Sequence, residues 1–154
     1  MQRVTNCMLM ADGKALMLQK PRRNWWVAPG GKMESGESIH DSVMREFYEE
    51  TNLKIERPEL KGIFTMVNMK DDQIVHEWML FSFRAYAFEG EAYQENEEGI
   101  LKWHPLNDIL ALPMAEGDRK ILDHMMNGQG ILIGTFKYTE DFILLDYKLE
   151  RNGE

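Results

Sequence analysis

Three glutamates in the segment SIHDSVMREFYEETNL are spaced to act together. At about 100° per residue, a helix from about Ser38 to Thr51 brings Glu46, Glu49 and Glu50 within an arc of roughly 100°. Like charges three and four residues apart destabilise a bare helix by on the order of a few tenths of a kcal/mol per pair. A divalent cation would reverse that penalty, and an all-oxygen donor set suits Mg²⁺, with Mn²⁺ as a substitute. A solvated helix face gives the same pattern, because glutamate is a common surface helix former, and spacing alone does not separate the two readings. Upstream, Gly30-Gly31 permits unusual dihedrals and close backbone approach immediately before Lys32, Glu34 and Glu37. The loop could thus bring a basic head and further oxygen donors to the carboxylate face. Such a constellation would hold a small, strongly anionic ligand through a metal bridge.

The elements that must position these residues are also legible. Arg3–Met10 and Ala15–Lys20 read as strands around the hairpin signal Ala11-Asp12-Gly13-Lys14. Pro21–Gly36 reads as a loop, and the helix after it is marked by the capping-box spacing of Ser38 and Asp41 and by an apolar stripe at Ile39, Val43 and Phe47. Leu60–Asn68 and Ile74–Phe88 are rich in β-branched and aromatic residues and predict a strand pair, the second long enough to bend. Ile100–His104 predicts a short strand, Leu106–Leu110 a helical turn, Asp118–Met126 a helix, and Ile131–Thr135 with Phe142–Leu149 a terminal hairpin. The fold class expected is mixed α/β (α+β), in a single domain over residues 1–154. Pro105 and Pro113 punctuate loops inside it.

The charge has a location. The chain has 154 residues and a net charge of −8. Glu34–Glu59 carries 8 acids against 3 basic residues and Glu89–Glu98 carries 5 acids against none, so the rest of the chain is slightly basic. That balance disfavours extended duplex nucleic acid, whose binding draws on phosphate neutralisation. No stretch is long and apolar enough to cross a membrane, and the N-terminal residues lack the pattern of an export signal. Cys7 is the only cysteine, which excludes an internal disulfide and fits a core filler in a reducing cytoplasm.

Residues Gly31–Leu53 read GKMESGESIHDSVMREFYEETNL, which resembles the Nudix box: Gly, five residues, Glu, seven residues, Arg-Glu-hydrophobe, one residue, Glu-Glu, one residue, Gly, hydrophobe. Gly31, Glu37, Arg45, Glu46, Phe47, Glu49, Glu50 and Leu53 match, and the strand order resembles a complete Nudix domain over about residues 3–149. The resemblance implies an α/β/α sandwich with a mixed curved sheet and a catalytic loop-helix. Asn52 replaces the second consensus glycine, and asparagine tolerates the left-handed conformation common just past a helix end. The resemblance further implies Mg²⁺-dependent hydrolysis of a nucleoside diphosphate linked to another group. Glu46, Glu49 and Glu50 would face the metal, Gly31 would offer its carbonyl, and Arg45 would orient Glu37 or a neighbouring carboxylate. Glu34 is an outer ligand candidate. Glu46 is the first choice for the base that orients water. Glu97 in the acidic loop is its rival and a further metal-ligand candidate, with Glu98 beside it as an alternative.

The segments TNCMLM, WWVAPGGKMESGES, LPMAEGD and FKYTEDFILLDYKL resemble the mutator-type 8-oxo-dGTP diphosphatases, which release monophosphate and pyrophosphate. By that resemblance Trp26 falls near a base-pocket tryptophan, with Trp25 beside it, and Asp118 falls at a purine-recognising acid; a helix N-cap is the other reading of Asp118. Lys32 is the phosphate-facing lysine. Trp78 and Trp103, inside apolar strands, are expected to pack in the core. Ala115 stands where the resembled group often has a stacking tryptophan, so cleavage of other nucleoside triphosphates, ADP-ribose hydrolysis and RNA 5′-end trimming stay open, as does a non-enzymatic nucleotide sensor. Twelve methionines serve core packing or an adaptable contact, which leaves monomer and homodimer both open.

Overall fold

The computed structural model describes residues 1–152. In chain order its elements are β1 (Gln2–Ala11), β2 (Lys14–Gln19), β3 (Trp26–Val27), β4 (Gly30–Lys32), α1 (Ile39–Thr51), β5 (Lys54–Glu56), β6 (Glu59–Lys70), β7 (Gln73–Ala85), β8 (Ala87–Glu89), β9 (Glu95–Asn96), β10 (Gly99–Pro105), a 3-10 turn (Leu106–Ala111), α2 (Glu116–Asn127), β11 (Ile131–Thr139) and β12 (Leu144–Asn152). Asp12 and Gly13 both take positive φ, as a tight Asp-Gly hairpin turn requires. The large sheet runs β12-β11-β6-β7-β1-β2-β10-β9, with β3 on β2 and β4 on β1. It is mixed, because β1 runs parallel to β7 and β11 parallel to β6 while the other pairs are antiparallel. β1 is the organising strand: Gln2–Leu9 pair with β7, Val4–Asn6 also pair with β4, and Met10–Ala11 pair with β2.

Period-two alternation along β1 and β2 divides the interior into two cores. Met8, Met10, Ala15 and Met17 face one, closed by Ile121, Leu122 and Met125 of α2. Cys7, Leu9, Leu16 and Leu18 face the other, closed by Val43 and Phe47 of α1. One sheet between two helical layers is the sandwich expected. Six methionines, Met8, Met10, Met17, Met66, Met114 and Met125, are buried in the first core.

Four expectations shift. The loop read over Pro21–Gly36 holds two short strands, β3 and β4. The strand read over Ile74–Phe88 breaks at Tyr86, and its end becomes β8, paired with β5 in a separate two-stranded sheet. α2 starts at Glu116, so Asp118 lies inside its first turn; Ala115 is the cap residue and makes no side-chain cap bond. β12 begins at Leu144, which leaves Phe142 in the preceding turn. Among the described residues, no helix is long and apolar enough to cross a membrane.

Candidate active site

The carboxylate helix is fixed at both ends and along one side. Ser38 Oγ accepts from the Asp41 amide at 3.0 Å, closing the N-terminus. Asn52 ends the helix with φ 70°, and its amide donates to the Tyr48 carbonyl at 2.8 Å, so asparagine performs the left-handed cap. Its side chain also donates to the Glu91 carbonyl at 3.0 Å, tying the acidic loop to the helix end. Buried Thr5 and Ser42 hydroxyls, 2.9 Å apart, pin α1 to β1.

Gly30 and Gly31 serve close approach rather than unusual dihedrals, since neither has positive φ. In register with Asn6 and Thr5, a Cβ on Gly30 would strike the β1 backbone, and one on Gly31 would strike the Glu46 carboxylate. Glycine is therefore what lets β4 lie flat against β1 with Glu46 directly over it.

Arg45 collects the acids. Its guanidinium makes a forked pair with Glu37, Nε to Oε2 at 2.7 Å and Nη2 to Oε1 at 2.9 Å. Nη1 donates to Glu46 at 2.8 Å and Glu49 at 3.1 Å, and Nη2 to the Lys32 carbonyl at 3.1 Å. Glu34 Oε1 stands 3.7 Å from Nη1. Hydrogen bonds from Arg45 and the Glu34 amide hold the Glu37 carboxyl down at about 2, and the same carboxylates, Glu37 first, raise the guanidinium. Glu46 is half-buried, whereas Glu49 is largely exposed.

Glu50 is buried on the opposite flank, accepting from the Gly30 amide at 3.1 Å. Burial and the adjacent Glu98 push its carboxyl up. Lys20 Nζ donates to Glu98 at 2.7 Å and holds that carboxyl down. Asn96 fixes the loop here: its amide side chain donates to the Glu50 carbonyl at 2.7 Å and its oxygen accepts from the Glu98 and Gly99 amides. The loop acid that reaches the site is therefore Glu98, and Glu97, the first choice from sequence, does not line it.

A cavity of about 700 Å³ joins these groups to an aromatic compartment. At one end lie Lys20, Gly30, Gly31, Lys32, Glu46, Glu50 and Glu98; at the other lie Trp25, Trp78, Ala115, Asp118, Tyr138 and Phe142. Glu34, Glu37, Arg45 and Glu49 do not line the cavity, and Glu34 and Glu49 are exposed to solvent beside it. Of the tryptophan pair one lines the cavity and the other is buried, the reverse of the assignment that the resemblance favours. Trp26 is buried, 4.3 Å edge-on from His104, and does not line the cavity, while Trp25 does. The β2–β3 register decides this, because Trp26 pairs with Gln19 and turns into the first core. Trp78, expected in the core, packs against the first core and also lines the cavity; strand alternation puts it on the face of Leu80 and its partner Met66, beside Gln2 and Val4. That parity was readable from sequence, but the cavity above it was not. Trp103 packs on Phe88 in the second core, as expected. Asp118 sits in the wall, and burial raises its carboxyl to about 6.

The NUDIX domain family matches residues 1–125. The chain belongs to the Nudix family. It is 60% identical over 150 residues to the uncharacterized Nudix hydrolase YvcI of Bacillus subtilis (strain 168), covering 97% of this chain and 95% of that one. A crystal structure of a mutator MutT protein from Bacillus halodurans superimposes with TM-score 0.95 at 53% identity, covering 97% and 98%. An oxidized purine nucleoside triphosphate hydrolase of Danio rerio is 25% identical over 150 residues, covering 96% and 93%. The protein is accordingly a Nudix hydrolase, of the family that acts on phosphoanhydride bonds of nucleotides, consistent with a MutT-like nucleotide pyrophosphohydrolase.

Nudix hydrolases generally use divalent metal ions, and the donors here suit one: all are oxygen atoms, and two carboxylates already converge on a single cationic nitrogen of Arg45. Among the described residues, no three His, Cys, Asp or Glu side chains are grouped closely enough to enclose an ion as they stand. Arg45 on one flank, and the Gly30 amide with Glu98 on the other, hold the acids in two sets.

Proposed function

We propose that this Nudix hydrolase cleaves a purine nucleoside triphosphate, 8-oxo-dGTP foremost, to the monophosphate and pyrophosphate with Mg²⁺ or Mn²⁺, in the cytoplasm. One observation carries the reading: a single cavity has carboxylates and lysines at one end and, at the other, aromatic rings around an acid whose carboxyl is raised to about 6. A carboxyl in that range is shared between donor and acceptor forms near neutrality, which suits reading a base edge. The activity named for the Danio rerio relative supports the choice of substrate. The cytoplasmic assignment rests on Cys7, a buried free thiol in a chain with no other cysteine.

Glu46, Glu49, Glu50 and the Gly31 carbonyl would hold the cation, with Glu34 outside and Glu98, in place of Glu97, from the loop. The bound cation would neutralise the diphosphate and polarise a water. Glu46, half-buried at the cavity wall, would orient the attacking water and accept its proton on a carboxylate oxygen. Arg45 holds Glu46 by its carboxylate and is itself locked by Glu37. Lys32, exposed on the cavity rim, meets the phosphate chain. The aromatic compartment orders the base and so fixes which phosphorus faces the carboxylates.

A second reading has an observation of its own. Lys20, Arg22, Arg23 and Lys32 all line the cavity, a basic border that would favour the 5′ end of an RNA. The deciding measurement is product release with Mg²⁺ across 8-oxo-dGTP, dGTP, dATP, ADP-ribose and 5′-triphosphorylated RNA, with kcat/KM for each. A large preference for 8-oxo-dGTP is expected. Equal values for 8-oxo-dGTP and dGTP would remove the sanitising role, and a preference for RNA would install the second reading.

A further inference from the structure

Phe142 is placed at a cost that a simple turn does not explain. It has φ 62°, in the left-handed region that disfavours bulky side chains, and it sits in the connection between β11 and β12, where glycine or asparagine would serve. Thr139 enforces the conformation: its carbonyl accepts from the Phe142 amide at 3.0 Å, its hydroxyl from the Ile143 amide at 3.1 Å, and its own amide donates to the Ile143 carbonyl at 2.9 Å. The result carries the ring into the cavity among Trp25, Trp78 and Tyr138, at centroid distances of 6.5, 6.2 and 5.7 Å. All three meet it at steep angles, 88°, 64° and 53°, so none stacks parallel on its face. The Arg23 guanidinium lies 5.2 Å from the Phe142 centroid and 5.3 Å from that of Trp25, bracing the ring from the loop before β3. In the lining of the same cavity Ala115, the cap residue before α2, offers no ring.

We propose that Phe142 is the residue on which this chain stacks the nucleobase, a specificity-determining platform on the β11–β12 turn that selects aromatic bases, purines first, with Arg23 as its positioning residue. The inference rests on the nucleotide-hydrolase reading of the cavity. A purine covers more of the ring than a pyrimidine, and a ring braced on one side by a cation keeps a fixed plane for the base. The backbone strain at Phe142 is then part of the site: a residue of easier φ would lie in the turn without a ring to present.

Phe142→Leu retains a bulky side chain with the same backbone cost and removes only the aromatic face. We expect its KM for dGTP and 8-oxo-dGTP to rise about tenfold or more, with kcat within about twofold, and Phe142→Trp to restore KM, since loss of one stacking partner typically weakens base binding to that degree. Binding of dGMP in EDTA, followed by the fluorescence of Trp25 and Trp78, should weaken by a similar factor in Phe142→Leu. If the wild type turns nucleotides over while Phe142→Leu matches it in KM and in dGMP affinity, the platform is overturned and the hydrolase reading stands. If the wild type binds dGMP through Phe142 yet cleaves no nucleotide, the platform stands and the hydrolase reading falls. Absence of both binding and turnover in the wild type overturns both.

Discussion

Among individual residues, Arg45 shows how little redundancy the site has. One guanidinium serves Glu37, Glu46, Glu49 and the Lys32 carbonyl, using a planar fork that lysine lacks. Arg45→Lys should therefore lower kcat by at least about tenfold while leaving dGMP binding nearly unchanged, because the base compartment does not touch it. Equal losses in kcat and in dGMP affinity would instead mean that Arg45 supports the whole cavity. Glu49→Gln and Glu50→Gln are expected to reduce turnover by about 10²-fold, and more than they reduce nucleotide binding, since charge at the diphosphate is needed most in the transition state. Unchanged turnover in both variants would reject their roles. Asp118 gives a pH test of the base contact. With its carboxyl at about 6, the donor form prevails below that value and is lost above it. If the donor form reads the oxidised base, the ratio of kcat/KM for 8-oxo-dGTP over dGTP should fall as pH rises from 5 to about 8, and in Asp118→Asn, which cannot ionise, the ratio should be flat. A ratio that rises with pH in the wild type would assign the acceptor form instead.

Elements differ in how far the chain spells them out. α1 was legible to within a residue because its signals are local: Ser38 with Asp41 at one end, Asn52 at the other and an apolar stripe between. The sandwich was implied by the Nudix-box resemblance, and its division into two cores shows only once the pairing of β1 and β2 is known. The aromatic compartment depends on matters that no local window holds, namely the β2–β3 register that buries Trp26, the long-range pairing that sets Trp78 beside Gln2, and a left-handed turn at Phe142. The choice between Glu97 and Glu98 is likewise made by Asn96, whose side chain caps the Glu98 and Gly99 amides while anchoring to the Glu50 carbonyl. That single side chain couples the acidic loop to the carboxylate helix. Asn96→Ala should remove three hydrogen bonds and destabilise the fold by about 1–2 kcal/mol, the net worth of such bonds. It should also lower kcat more than the loss of stability accounts for, because Glu98 loses its anchor beside Glu50. Amide hydrogen exchange that stays equally slow at Glu98 and Gly99 in the variant would show that the loop is held by other means.

For the molecule as a whole, binding capacity is set against stability, and pH separates the two. Glu37 is stabilised by Arg45, so its folded-state carboxyl is lowered, and its contribution is present above its ordinary value of 4.5 and fades as pH falls towards about 2. Asp118 works in the opposite direction. Its folded-state carboxyl is raised from 3.8 to about 6, so the folded protein holds the proton more tightly than the unfolded chain between those values. Stability therefore declines as pH rises from about 4 to about 6, and the full cost of a buried ionised carboxylate is present above that. At about 1.4 kcal/mol per pKa unit the cost is on the order of 1–3 kcal/mol, the lower end allowing for the solvent that the cavity still admits. Asp118→Asn should thus raise the thermal midpoint by several degrees at pH 7.5 and change it little at pH 4, where the wild-type carboxyl is already protonated in the folded state. A stabilisation of the same size at both pH values would show that packing, not charge, is what the variant relieves. A net gain at neutral pH from deleting one acid, accompanied by loss of base discrimination, is the outcome expected if the fold retains Asp118 for the ligand it reads rather than for its own stability.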